Sequence, residues 1–344
     1  MILIGVIEMI DIYFLHIVYM SHLIDTLIIS GGGAKSVSVL GSLKYLEDKL
    51  IIKNIRRYAG SSAGAILCLL LNIGYSAQEI KDSFFSQDSS LINDPFYKKP
   101  FNIFYYYGIN SGNKLVEYIK QLLVNKGFDK DITFDDLKNK TNKILVMTGT
   151  SLTDQNTYYF NYKTTPNMKV VDALRISISI PIFFTSVNYK IKDTEHIFID
   201  GGILENFPIH YFETCDEIGD FVLTSNDLEK FKCNQTGPHC YDNVLGIMLF
   251  MDGEKRDVDN FNENKIVINN MGDFFSSYVN TMFLKIEIGN FRDHTGSKTR
   301  FFDRVISIVI PKTVSYIDFN LTRKVQDNLI NIGKTAIEDF FKTV

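Results

Sequence analysis

Tryptophan is absent from the 344 residues, and cysteine and proline are scarce at four and seven. The cysteines are Cys68, Cys215, Cys233 and Cys240. They form no C-x-x-C pair, which argues against a zinc knuckle or a dense disulfide framework and fits a reducing compartment. Cys233 and Cys240 with His239 between them make only a weak metal set, so no metal or other cofactor is expected. Basic runs are missing as well, and a net charge of -4 offers nucleic acid no attractive field. No lysine or arginine precedes Lys35, so the apolar start lacks the positive end of a secretory signal. Glu8 and Asp11 interrupt that start, and each would cost roughly 2.5 to 3.5 kcal/mol at a bilayer centre. Residues 1–24 therefore read as a packed or interfacial lead-in, with a membrane anchor and translation from Met20 as the alternatives.

What is present is a large apolar share, 45% of the chain, enough to bury the core of one large domain. From Asp25 the run Thr26 to Ile29 reads as a buried strand feeding the glycine turn Gly31-Gly32-Gly33-Ala34-Lys35. Val37, Leu40, Leu43 and Leu46 then recur at helical spacing, and Ile55 to Ala59 returns as a second, parallel strand. The βαβ unit predicts an α/β fold with a mostly parallel central sheet flanked by helices. Further strands are expected at Lys143 to Thr150 and at His196 to Ile199, and helices at Leu115 to Leu123, Asp172 to Ser179 and Asn320 to Phe341. The division expected is a lead-in at 1–24, a catalytic domain at 25–220 and an extension at 221–344 completing the same globular unit. The aromatic stretch Phe101 to Tyr107 is expected to pack under a loop, a lipid-facing patch being the alternative.

Two turns carry chemistry. Gly60-x-Ser62-x-Gly64 follows the second strand and precedes an apolar helix, the setting in which a serine stands on a sharp bend that side chains two residues away would obstruct. The helix N-terminus offers unpaired N–H groups to charge developing beside Ser62. Asp200-Gly201-Gly202 ends a strand, and two glycines let the backbone turn while leaving the carboxylate accessible, a candidate general base. An ordinary Asp-Gly turn explains that stretch equally well. Of the six histidines, His210 is the strongest competitor as base, and His196 is expected near the opposite end of the sheet from Asp200.

In order and placement, the glycine loop, the Gly60–Gly64 elbow and Asp200-Gly201-Gly202 resemble the marks of the patatin-like phospholipase family. Leu174-Arg175-Ile176-Ser177 with Pro181 and Phe184 resembles the family's segment between elbow and aspartate, and the similarity covers roughly Asp25 to Asp220. The resemblance implies a three-layer fold and a serine lipid acyl hydrolase with a dyad, Ser62 as nucleophile and Asp200 as base. It places oxyanion donors in the loop Gly31, Gly32, Gly33 and Ala34, and the turns that shape the site at Gly60, Gly64, Gly201 and Gly202. One departure is Ser36, where the family loop closes with glycine. The implied partners are phospholipids or other acyl-ester lipids, at a peripheral membrane surface or in the cytoplasm, with no cofactor and no nucleic acid. An acyltransferase using the same acyl-enzyme and a non-catalytic lipid-binding protein are the alternatives. A dinucleotide-binding unit fails because Ser36 breaks G-x-G-x-x-G and no acid ends the second strand.

Overall fold

The computed structural model describes residues 24–86, 89–213, 243–251, 304–311 and 313–343, with isolated positions between 213 and 304. Residues 1–23 of the lead-in, His16, His22, His294, the set Cys233, His239 and Cys240, and the His210 side chain lie outside the described residues.

Strand β1 (Thr26–Ile29) is buried at every position, as a strand covered on both faces must be. Its residues split between two cores. Leu27 and Ile29 face the core that holds most of the helices. Ile28 faces a smaller one formed with Phe207, Ile209, Tyr211 and Phe212. Beyond β1 come α1 (Val39–Asp48), β2 (Arg57–Gly60), α2 (Ala63–Asn72), α3 (Lys99–Tyr106), β3 (Gly108–Asn110), α4 (Asn113–Asn125) and α5 (Phe134–Thr141). Then follow β4 (Ile144–Ser151), β5 (Asn156–Phe160), α6 (Val170–Ser177), β6 (Ile182–Phe184), β7 (Val187–Ile191) and β8 (Thr194–Asp200). The chain ends with β9 (Val244–Met251), β10 (Val305–Ile310) and α7 (Arg323–Thr343).

The main sheet runs β10-β9-β1-β2-β4-β8-β7, with β5 beside β4. From β10 to β4 every pairing is parallel. β8, β7 and β5 are antiparallel additions. The pairing of β2 with β4 stops at Gly60 opposite Met147, so β4 outruns β2, and its free end carries β8 with Gly149 opposite Asp200. Asp200 therefore reaches the edge where β2 ends by coming down an antiparallel strand, which corrects the parallel direction expected for it. The same reversal moves His196 outward past that edge instead of to the far end of the sheet.

Glycines set the closest helix crossing. A Cβ at Gly41 of α1 would drive into the Ile330 carbonyl of α7, and one at Gly333 into the Ser38 carbonyl. Ser42 Oγ donates to the Gly333 carbonyl at 2.7 Å across the same contact. Helix α6 starts at Val170, two residues earlier than its spacing suggested, with Asp172 in the first turn, where a negative charge still favours the helix N-terminus. Phe101 to Tyr107 does not pack under a loop: α3 carries these rings to the surface.

Candidate active site

Ser62 is the last residue before α2 and holds φ 51°, ψ -126°. A positive φ at a side-chain-bearing residue costs on the order of 1 to 3 kcal/mol, so the surroundings must enforce it. They do so by backbone crowding. A Cβ on Gly60 would sit 2.6 Å from the Gly64 carbonyl oxygen, and one on Gly64 would strike the Ile29 carbonyl of β1. The Ser62 N–H donates to Ser177 Oγ at 3.0 Å, which locks the elbow to the end of α6.

Ser62 Oγ donates to Asp200 Oδ2 at 2.7 Å, and both residues are buried. Gly202 N–H donates to Asp200 Oδ1 at 2.7 Å, closing the turn and fixing the carboxylate plane. Gly201 lies so close to β4 that a Cβ there would press on the Thr148 carbonyl at 2.5 Å. Burial pushes the Asp200 carboxyl up to about 7, against the opposing pull of the donors Ser62 and Gly202.

The glycine loop passes over the elbow. Gly33 has φ 51°, and its α-carbon abuts the Tyr316 carbonyl, so only glycine fits. The four residues expected to bind an oxyanion divide here. Gly31 N–H donates to the Asn206 carbonyl at 3.1 Å, and Ala34 N–H to the Tyr316 carbonyl at 2.8 Å. Both are occupied as donors, which corrects their expected role. The N–H groups of Gly32 and Gly33 have no acceptor among the described residues, and neither has that of Ala63 at the start of α2. Ser36 stands at the position of the missing glycine and is accommodated because Gly32 has no side chain: a Cβ there would lie 2.9 Å from Ser36 Oγ.

Ser62, Ala63, Gly33 and Ala34 open onto a cavity of about 90 Å³. Its walls are apolar, with Ile66, Phe84, Leu115, Ile178, Phe184 and Phe319 among them, and apart from Ser62 the one polar lining residue among the described residues is Gln326. Such a wall excludes water from the serine and suits an alkyl or acyl chain.

The histidines do not enter this constellation among the described side chains. His196 is buried, 3.0 Å through Nδ1 from Ser151 Oγ and 3.9 Å from Asp154, in a cluster of its own with Tyr158. Among the described residues no group of three or more His, Cys, Asp and Glu side chains has the arrangement of a metal site.

A model of the patatin-like phospholipases matches residues 27–213. The chain belongs to that family. This patatin-like chain is 35% identical over 186 residues to "Probable lipid hydrolase 463L" of Invertebrate iridescent virus 6, an alignment covering 54% of the chain and 61% of that protein. It is 28% identical over 317 residues to "Uncharacterized protein R571" of Acanthamoeba polyphaga mimivirus, covering 92% of the chain and 93% of the relative. Among solved structures, VipD from Legionella pneumophila shares the fold at a TM-score of 0.56 and 15% identity, over 93% of this chain and 67% of that one.

Three further residues of the patatin-like site were assigned no role from the sequence. Asn206 brackets Gly31, accepting its N–H and donating from Nδ2 to its carbonyl at 3.3 Å. Tyr316 shapes the glycine loop from more than 280 positions away along the chain, and its ring lies 3.5 Å under the buried Lys35 ammonium. Arg175 is buried and donates to the Ser111 carbonyl at 3.0 Å, to Ser179 Oγ at 2.5 Å and to the Thr185 carbonyl at 2.9 Å. It pins the walls on either side of Phe184. Burial pulls its guanidinium down to about 10, which leaves it charged at neutral pH. The signal for Arg175 was the lone cation of a largely apolar helix; Asn206 and Tyr316 offered none.

Proposed function

We propose that this chain is a lipid acyl hydrolase that cleaves carboxylic esters through an acyl-enzyme on Ser62. The observation that carries the reading is the 2.7 Å bond to a buried carboxylate from the Oγ of Ser62, a residue that lines an apolar cavity. Membership of a phospholipase family and likeness to a protein named as a lipid hydrolase support lipid esters as the substrate class.

The steps follow from the geometry. Asp200 accepts the hydroxyl proton as Ser62 Oγ bonds to the ester carbonyl carbon. The carbonyl oxygen, now an anion, is met by the N–H groups of Gly32, Gly33 and Ala63. Asp200 returns the proton to the leaving alcohol as the C–O bond breaks. Water then attacks the acyl-serine with Asp200 taking its proton; as the bond from the acyl carbon to Ser62 Oγ breaks, Asp200 returns that proton to Oγ, and the fatty acid leaves. A carboxylate of ordinary acidity is a poor base for a hydroxyl; burial that lifts Asp200 to about 7 narrows the gap. Ser62, held at positive φ, stands in the wall of that cavity.

The test is turnover of short acyl esters by purified wild type, Ser62→Ala, Asp200→Asn and His196→Ala. The first two should lose at least about 10³-fold in kcat/KM while His196→Ala keeps most of it. Activity surviving in a folded Ser62→Ala protein would overturn the reading.

A further inference from the structure

Helix α3 is built inside out. Its one buried side chain is Asn102, which donates from Nδ2 to Asp94 Oδ2 at 2.9 Å and to the Ile109 carbonyl at 3.1 Å. The rings face water: Phe104 is 80% exposed, Tyr105 67% and Phe101 54%. Phe96 and Tyr97, just ahead of the helix, are 85% and 76% exposed. Phe101 packs on Tyr105 and Tyr106 with ring centroids 4.6 and 5.7 Å apart, so these three rings form one patch, with exposed Phe104 on the same short helix. A water-facing helix ordinarily has the reverse arrangement, and a contiguous apolar patch marks a surface that meets something else.

Two features select what it meets. From Pro95 to Val116 the chain carries Lys98, Lys99 and Lys114 and no aspartate or glutamate. Lys114 is engaged with the Ser90 and Asn93 carbonyls, while Lys98 is exposed beside the rings. Tyrosines and phenylalanines rimmed by cations suit the headgroup level of a bilayer with anionic lipid. Two copies of the same face would set lysine against lysine. The second feature is position. Leu91 and Ile92 of the cavity wall lead into the patch, and β3, which follows it, pairs with β6, whose Phe184 is also in that wall. Among the described residues no helix is long and apolar enough to cross a membrane, so contact through this patch would be peripheral.

We propose that the aromatic face of α3 is a membrane-docking surface that seats the chain on anionic phospholipid bilayers beside the mouth of the Ser62 cavity. Its purpose rests on the lipid-hydrolase reading, because a docked face would let an acyl chain pass into the cavity without crossing water. Its existence does not depend on turnover.

The test is flotation of the Ser62→Ala chain with phosphatidylcholine vesicles, with and without phosphatidylserine. The parent should float, and more strongly with phosphatidylserine. Phe101→Ser with Phe104→Ser should cut partitioning about tenfold or more on both vesicles. Lys98→Glu with Lys99→Glu should remove the preference for phosphatidylserine. Phe96→Ser with Tyr97→Ser lies outside the helix and gives the same answer if the first pair disturbs folding, which a thermal melt reports. A parent that stays with the soluble fraction, aromatic variants that float as well as the parent, or a lipid-free dimer that the aromatic variants dissolve would each overturn the proposal. Ester turnover by the Ser62 chain without flotation would sink the docking surface alone, and flotation without turnover the enzymatic reading alone.

Discussion

The two turns that meet over Ser62 are held by opposite means. The elbow is fixed chiefly by backbone sterics close at hand: Gly60 and Gly64 bring backbone against backbone and Gly64 rests on the carbonyl of Ile29, with the Ser62 N–H held in addition by Ser177 Oγ. The glycine loop is fixed from far along the chain, by Asn206 on Gly31 and by the Tyr316 carbonyl on Ala34, with the Tyr316 ring under Lys35. A turn held by its own sterics is part of the fold and should fail with it. A turn held by a remote segment can be displaced while the fold survives, and its failure should appear in turnover.

That contrast predicts the largest effect at Gly64. Gly64→Ala drives a methyl into backbone that cannot move without opening β1, so stability should fall by about 3 kcal/mol or more, read as a lowered urea midpoint. Gly33→Val should behave differently. Its side chain would strike the Tyr316 carbonyl and the loop would shift, costing on the order of 10² to 10³ in kcat through lost oxyanion donors, with a much smaller change in the urea midpoint. Equal losses of stability in the two variants would erase the distinction. The smallest effect belongs to Tyr316→Leu, which keeps the carbonyl and removes the ring beneath Lys35. A loss of about 1 kcal/mol of cation–π attraction should lower kcat about fivefold and leave KM for short esters near its wild-type value.

The same contrast explains what the sequence could disclose. Gly60-x-Ser62-x-Gly64 was legible because its reason is steric and local, and the strand-loop-helix order around it was legible because Thr26 to Ile29 and Val37 to Leu46 keep clean periods. The direction of β8 was not, since nothing in the residues from Thr194 to Asp200 distinguishes a parallel partner from an antiparallel one. That choice lies in the length of β4, whose end projects past β2 and offers an edge. The partition of the glycine loop's donors was hidden for a related reason: Asn206 and Tyr316 act there through backbone carbonyls, which every residue has. Helix α3 was misread because burial in protein is the default fate of a ring, and the default fails where the polar residue, Asn102, takes the buried place.

The central claim is that a carboxylate buried at Asp200 activates Ser62. It is tested most directly by the second-order rate of labelling at Ser62 with a fluorophosphonate as a function of pH. Asp200 must be ionised to accept the hydroxyl proton, and its carboxyl is lifted to about 7 by burial. Labelling of the wild type should rise about tenfold per pH unit below that value and level off above it. Asp200→Asn should label at least about 100-fold more slowly, with no such limb. An Asp200→Asn protein that labels at the wild-type rate and keeps the limb near pH 7 would assign the base to another group and contradict the account.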